Sequence, residues 1–214
     1  MAAGNNDWIK PTTLVGRDVR LVPLSQDHRR DLVDAVRDGE LWRLWYTSAP
    51  APEEMEADID RRLGLQAAGA MLPFTVIHEP SDRIVGMTTY ANIDPSGPRV
   101  EIGYTWYAAS MQRTGLNTAA KLVMLEHAFD KIGCIAVELR THFLNHQSRQ
   151  AIERLGAKLD GILRSHQRAK DGTVRDTCVY SIVKHEWPAV RSHLTWQLDK
   201  PRKDTQTPRR SVMT

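Results

Sequence analysis

Apolar and polar residues alternate from Arg17 to Leu24, with Val19 and Leu21 opposed to Arg20 and Val22, and Pro23 closes the run as a short strand. The period then lengthens. Ser25 is placed to cap a helix in which Leu32, Val33 and Val36 share one face through Arg37, and Gly39 stops it. A second helix is expected after Pro52, where Glu53, Glu54 and Glu56 suit the positive end of the dipole, and it runs to about Gly69. Between them lies Leu41-Trp42-Arg43-Leu44-Trp45-Tyr46, an aromatic cluster that either packs or lines a cleft.

Three strand patterns follow at Phe74 to His78, Arg83 to Ile93 and Arg99 to Tyr107, separated by Glu79-Pro80-Ser81-Asp82 and Asp94-Pro95-Ser96-Gly97-Pro98. Connections this short predict an antiparallel meander. From Leu116 to Ile132 the helical period returns, with Ala119, Leu122, Val123, Phe129 and Ile132 on one stripe and Gly133 as terminator. Ile135 to Thr141 reads as a buried strand, Asn145 to Leu155 as a helix ended by Gly156, and Lys158 to Arg168 as a strand. A turn at Lys170-Asp171-Gly172 leads into the last strand, Val174 to Val183. The order predicts an α+β fold with a mixed, mostly antiparallel seven-stranded sheet flanked by helices.

A chain of 214 residues suits one core. The expected domain covers 14–187, with 1–13 and 199–214 as flexible termini. No apolar run approaches a membrane span, and Met1 to Lys10, with Asn5, Asn6 and Asp7, lacks the apolar centre of a secretory signal. A soluble, cytoplasmic protein is expected. Cys134 and Cys178 lie in apolar stretches with no Cys or His at ligand spacing, so they read as reduced packing residues and no metal is expected. The formal charge of +3 gathers largely at Lys200 to Arg210, outside any periodic segment. With no basic helix face, nucleic-acid binding is not expected.

The chemistry gathers where a strand gives way to the longest helix, at Tyr107-Ala108-Ala109-Ser110-Met111-Gln112-Arg113-Thr114-Gly115-Leu116-Asn117-Thr118. A helix start presents unpaired N–H groups and a positive dipole end, which suit a phosphate. Gly115 lets the chain approach an anion closely, and Asn117 or Thr118 is a candidate cap. An ordinary capped connection has the same local appearance. No Gly-Lys-Ser/Thr follows, and one glycine does not make a dinucleotide fingerprint.

Taken with two further segments, this loop resembles the GNAT acetyltransferase superfamily, in particular its RimJ/RimL-like branch, which includes ribosomal-protein N-terminal acetyltransferases. The cofactor loop of that family, Gln/Arg-x-x-Gly-x-Gly/Ala, is matched by Gln112 and Gly115, with Asn117 as a departure at the last position. Val100-Glu101-Ile102-Gly103-Tyr104 resembles the branch's Glu-Ile-Gly-Tyr strand. Asn145-His146-Gln147-Ser148 with Ala151 to Ala157 resembles its Asn-x-x-Ser helix and the Gly-Phe/Ala after it.

The resemblance implies an acetyl-CoA-dependent transferase acting on a primary amine, either a protein N-terminus or a small molecule, by direct attack in a ternary complex. The strand Arg99 to Tyr107 would diverge from Ile135 to Thr141 to admit the pantetheine arm. The pyrophosphate would lie on amides of Arg113, Thr114, Gly115, Asn117 and Thr118, with the Gln112 or Arg113 side chain assisting and Asn145 bonding the pantetheine amide. Glu101 is the implied base and Ser148 the implied proton donor. Strand alternation places Glu101, Gly103, Thr105 and Tyr107 on one face. Tyr180 is a second candidate donor, and His142 and His166 are surface or cleft residues outside the catalytic set. Transfer of another acyl group such as succinyl, or CoA binding without turnover, remains open here, as does a monomer or a homodimer.

Overall fold

The computed structural model describes residues 8–47, 49–169 and 171–200. Apart from Lys200, the basic tail expected at Lys200 to Arg210 lies outside the described residues, as does Lys170 of the hairpin turn. The elements are β1 (Leu14–Gly16), β2 (Val19–Pro23), α1 (Arg29–Arg37), α2 (Met55–Ala67), β3 (Met71–His78), β4 (Arg83–Asp94), β5 (Arg99–Tyr107), α3 (Leu116–Glu126), β6 (Ala136–His142), α4 (His146–Arg154), β7 (Lys158–Arg168), β8 (Val174–Val183) and α5 (Trp187–Asp199).

The strands form one sheet in the order β1-β2-β3-β4-β5-β6-β8-β7. Every neighbouring pair is antiparallel except β5 with β6. That exception follows from chain length, because α3 supplies the crossover that a parallel pair needs. The sheet has eight strands, not seven. The extra one, β1, folds back on β2 through Asp18 at φ 56°. Three residues are too short a run for alternation to register.

Helices cover both faces. Leu116, Ala119, Ala120 and Met124 of α3 join Val100, Ile102 and Tyr107 in one core, while Leu32, Val36, Met55 and Ile59 of α1 and α2 enclose Met87 and Trp106 in another. The fifth helix was not foreseen. Its Trp187, Val190 and Leu194 are buried, Trp187 stacks on Phe129 at 5.4 Å, and the Trp187 indole donates to Asp130 Oδ1 at 3.0 Å. Trp196 is at the surface. The packed body also extends before Leu14, since Trp8 Nε1 donates to the Ile132 carbonyl at 3.1 Å and Ile9 enters the core.

The end of α1 pins the segment that leads to α3. Gly39, at φ 93°, lies so close to Ala109 that a Cβ on it would be 2.4 Å from the Ala109 Cβ. Ala109 N donates to the Asp38 carbonyl at 2.9 Å and Ser110 N to Asp38 Oδ2 at 3.2 Å. The loop after Ser110 therefore starts from a fixed point.

Candidate active site

β5 and β6 pair only at Arg99 with Ala136, Val100 with Val137 and Glu101 with Glu138. Beyond that rung they part, β5 staying with β4 and β6 with β8. The cause is visible in β5. Thr89 faces Gly103 and Met87 faces Trp106, so β5 carries one extra residue there, and Tyr104 takes φ 50°. A bulge of this kind bends its strand and ends regular pairing on it. The mouth leaves backbone groups of both strands without a sheet partner on the facing side.

The bulge also overturns the expected alternation. Val100, Ile102 and Tyr107 all belong to the α3-side core, whereas Trp106 belongs to the α1–α2 side. Glu101 and Gly103 therefore share a face with Trp106, while Thr105 and Tyr107 turn to the opposite face. One inserted residue shifts a period of two by half a cycle.

Glu101 sits on the last paired rung and is 8% exposed. Asn92 Nδ2 donates to its Oε2 at 2.6 Å, and Arg140 Nε approaches the same oxygen at 3.4 Å. Arg140 is shared with Glu138, at 2.8 Å, and Arg99 reaches Glu138 from the other side at 3.3 Å. Burial raises the Glu101 pKa above its ordinary value, opposed by Arg140 and Asn92 and reinforced by Glu138. The result is a carboxylate with an increased appetite for a proton. Its second oxygen, Oε1, lies over Gly103, where a Cβ would come within 2.8 Å.

Before α3 the chain turns through Gln112 to Gly115. Arg113 is exposed at φ 61°, and Gln112 Nε2 turns inward to the Tyr107 carbonyl at 3.4 Å. Thr114 Oγ1 donates to the Met111 carbonyl at 2.7 Å and accepts from Leu116 N at 3.2 Å. The residue at the cap is Gly115, with no side-chain cap, so Asn117 and Thr118 lie inside the first turn and do not cap it. Among the described residues the amides of Gly115, Asn117 and Thr118 donate to no protein acceptor. A diphosphate fits this set, since these donors are left for an anion and a dipole end stands behind them.

Asn145 caps α4, its Oδ1 accepting from Ser148 N at 3.0 Å. This leaves the Asn145 amide nitrogen and the half-buried Ser148 hydroxyl with no protein partner among the described residues. Tyr180 is fully buried, accepting from Arg149 Nε at 3.1 Å and donating to Glu153 Oε1 at 2.9 Å. Its hydroxyl thus anchors α4. His142 Nδ1 accepts from Leu144 N at 3.0 Å, its ring meets Trp45 edge-on at 4.9 Å, and burial lowers its pKa. His166 bonds Thr177 Oγ1 at 3.1 Å.

Two buried cations escaped the sequence reading. Lys121 of α3 donates to Thr105 Oγ1 at 2.7 Å and Thr88 Oγ1 at 3.0 Å, directly beneath the bulge, and burial lowers its pKa to about 7. Arg62 of α2, fully buried, binds Asp58 at 2.7 Å and Thr89 Oγ1 at 2.9 Å, with its guanidinium 5.6 Å from the Tyr104 ring centre. Lys121 adjoins the predicted Leu122–Val123 stripe, where a lysine reads as its solvated edge. In the fold its side chain points instead at the sheet, to Thr88 of β4 and Thr105 of β5. Among the described residues no cluster of His, Cys, Asp or Glu is arranged for a metal, and no helix is long and apolar enough to cross a membrane.

Comparison with known proteins gives a consistent result. Residues 18–158 match the family described as the acetyltransferase (GNAT) domain. A Bacillus subtilis (strain 168) protein, YdaF, provisionally named a ribosomal N-acetyltransferase, is 31% identical over 109 residues, 49% of this chain and 56% of its own length. The match thus spans little more than half of that relative. The crystal structure of a GCN5-related N-acetyltransferase from Brucella melitensis superposes with a TM-score of 0.79 at 30% identity, over 89% of this chain and 86% of that one. Mycobacterium smegmatis RimJ, solved in complex with CoA-disulfide, shares the fold with a TM-score of 0.74 at 21% identity, over 87% of this chain and 95% of that one.

Proposed function

This chain belongs to the GNAT acetyltransferase family, and on that footing we propose that it moves the acetyl group of acetyl-CoA onto a primary amine by direct attack in a ternary complex. The observation that carries the reading is the parting of β5 from β6 immediately beyond Glu101, with uncapped amides at the start of α3 beside it. A pantetheine arm completes the interrupted sheet as a surrogate strand. Gly115, Asn117 and Thr118 hold the pyrophosphate through their amides, joined by Arg113 and Thr114 of the same turn, while Asn145 offers its free amide nitrogen to the arm. The Gln112 side chain, bonded to Tyr107, shapes the turn from within.

Glu101 takes the proton that the acceptor ammonium must lose before it can attack. As the amine nitrogen bonds to the acetyl carbonyl carbon, the carbon–sulfur bond breaks, and the Ser148 hydroxyl supplies a proton to the departing thiolate. The acceptor is a primary amine, on a protein N-terminus or a small molecule, and the setting is cytoplasmic, as a monomer or homodimer.

Isothermal titration with acetyl-CoA tests the donor: micromolar binding is expected, and no binding at millimolar ligand would overturn the assignment. Gly115→Val, which puts a branched side chain at the helix start, is expected to weaken that binding at least about tenfold. An active, tight-binding variant would place the pyrophosphate elsewhere.

A further inference from the structure

Where β6 ends and β8 begins, past the point at which β6 has parted from β5, a hollow of about 350 Å³ opens. Its walls are largely apolar: Trp45 from the segment after α1, His142, Phe143 and Leu144 at the end of β6, and Val174. Trp45 is half exposed, and its ring meets that of His142 at nearly a right angle. None of these side chains belongs to the donor site.

The charges of the hollow are unequal in their engagement. Asp176 is spent, its carboxylate accepting from Arg164 Nε at 2.5 Å and from Ser165 N at 2.8 Å. Arg175 is different. Its Nε donates to Thr177 Oγ1 at 3.2 Å, and among the described residues its two terminal nitrogens have no acceptor, although the residue is partly buried. The guanidinium lies close enough to Glu101 for that carboxylate's charge to act on it. A planar fork with free donors, partly removed from water, is the side chain best suited to a carboxylate.

We infer that this hollow seats the acceptor, and that the acceptor is a small molecule carrying its amine and a carboxylate together: a free amino acid with an apolar side chain. This rests on the acetyltransferase reading above. The amine faces Glu101, the carboxylate pairs with the open fork of Arg175, and the side chain lies against Trp45, His142 and Phe143. The two charges of such a molecule meet the two opposite charges that the site presents. A peptide N-terminus offers a neutral carbonyl where the carboxylate would be and leaves Arg175 unanswered.

The test compares phenylalanine and leucine with their amides and with short peptides beginning in the same residues, using the full chain and acetyl-CoA and reading free-CoA release. The free acids are expected to exceed their amides in kcat/KM by at least about tenfold. In Arg175→Gln that ratio falls to near one, and Arg175→Lys, which keeps the charge, retains part of it. Equal or better use of amides or peptides by the wild type, or an unchanged ratio in Arg175→Gln, would overturn the inference. Titration of phenylalanine against phenylalaninamide in the presence of CoA, followed by tryptophan fluorescence, reads the hollow without turnover. A protein that prefers the acid in this titration yet releases no CoA keeps the subsite and overturns the catalytic reading; equal binding of acid and amide overturns the subsite.

Discussion

Glu101→Gln is expected to lower kcat about a hundredfold at neutral pH while the dissociation constant for acetyl-CoA changes by less than about threefold. The substitution keeps shape and an oxygen that can accept from Asn92, which now donates to Glu101 Oε2 at 2.6 Å. Arg140 keeps Glu138 at 2.8 Å, so the side chain is not stranded without a partner. What disappears is the capacity to take a proton. Because burial raises the Glu101 pKa, the acidic limb of the wild-type kcat/KM profile should lie above the range of an ordinary glutamate, and this limb should be missing from the residual activity of the variant. The stability consequence has a definite sign. A carboxyl whose pKa is raised on folding contributes stability below its unfolded value and loses it as pH rises through the folded one, so Glu101→Gln should not be destabilised at pH 7. Retention of half the wild-type rate would remove Glu101 from the base role and leave it as a member of the ion cluster with Arg140, Glu138 and Arg99.

Lys121→Met is expected to stabilise the fold, and to do so more at pH 6 than at pH 9. The Lys121 ammonium is buried against two threonine hydroxyls, with no carboxylate bonded to it among the described residues. Burial brings its pKa from 10.5 to about 7. Below that folded value both states carry the proton and the cost of burying the charge is complete. Between about 7 and 10.5 the unfolded chain alone remains protonated, so wild-type stability rises with pH across this window. Over the two units from pH 7 to pH 9 the gain from the substitution should shrink by about 2–3 kcal/mol. Methionine fills the volume, and Thr88 and Thr105 still bond each other at 2.7 Å. Denaturant titrations of both proteins at the two pH values measure the difference. A gap that does not change with pH would show that the folded lysine keeps the pKa of the unfolded chain and stays charged and hydrated at both pH values.

Much of this architecture is written locally. The boundaries of β5, β7 and β8 fall where the turn residues before them put them, after Gly97-Pro98, Gly156 and Asp171-Gly172 respectively. Asn145 is a cap, as its chemistry favours, Gly156 ends α4 at positive φ, and Gly133 does the same after the π-helical turn His127–Lys131 that prolongs α3. The missing pieces share a cause. β1 is too short for periodicity, and α5 has one buried side with polar residues scattered along it, so neither produces a clear pattern.

The sequence by itself determined the order of the central elements, the glycine turn before α3 and the Glu-Ile-Gly-Tyr strand, since these depend on residues close together in the chain. Only the tertiary structure decided which face each site residue occupies. The bulge at Tyr104 reverses the alternation after Gly103, so that Glu101 and Thr105, four residues apart, look to opposite sides of the sheet. It also decided the surroundings of Glu101, Lys121 and Arg175, whose neighbours come from strands and helices tens of residues away. Pairing, burial and charge between such distant segments depend on how the sheet closes around its one parallel seam, and no window of neighbouring residues contains that information.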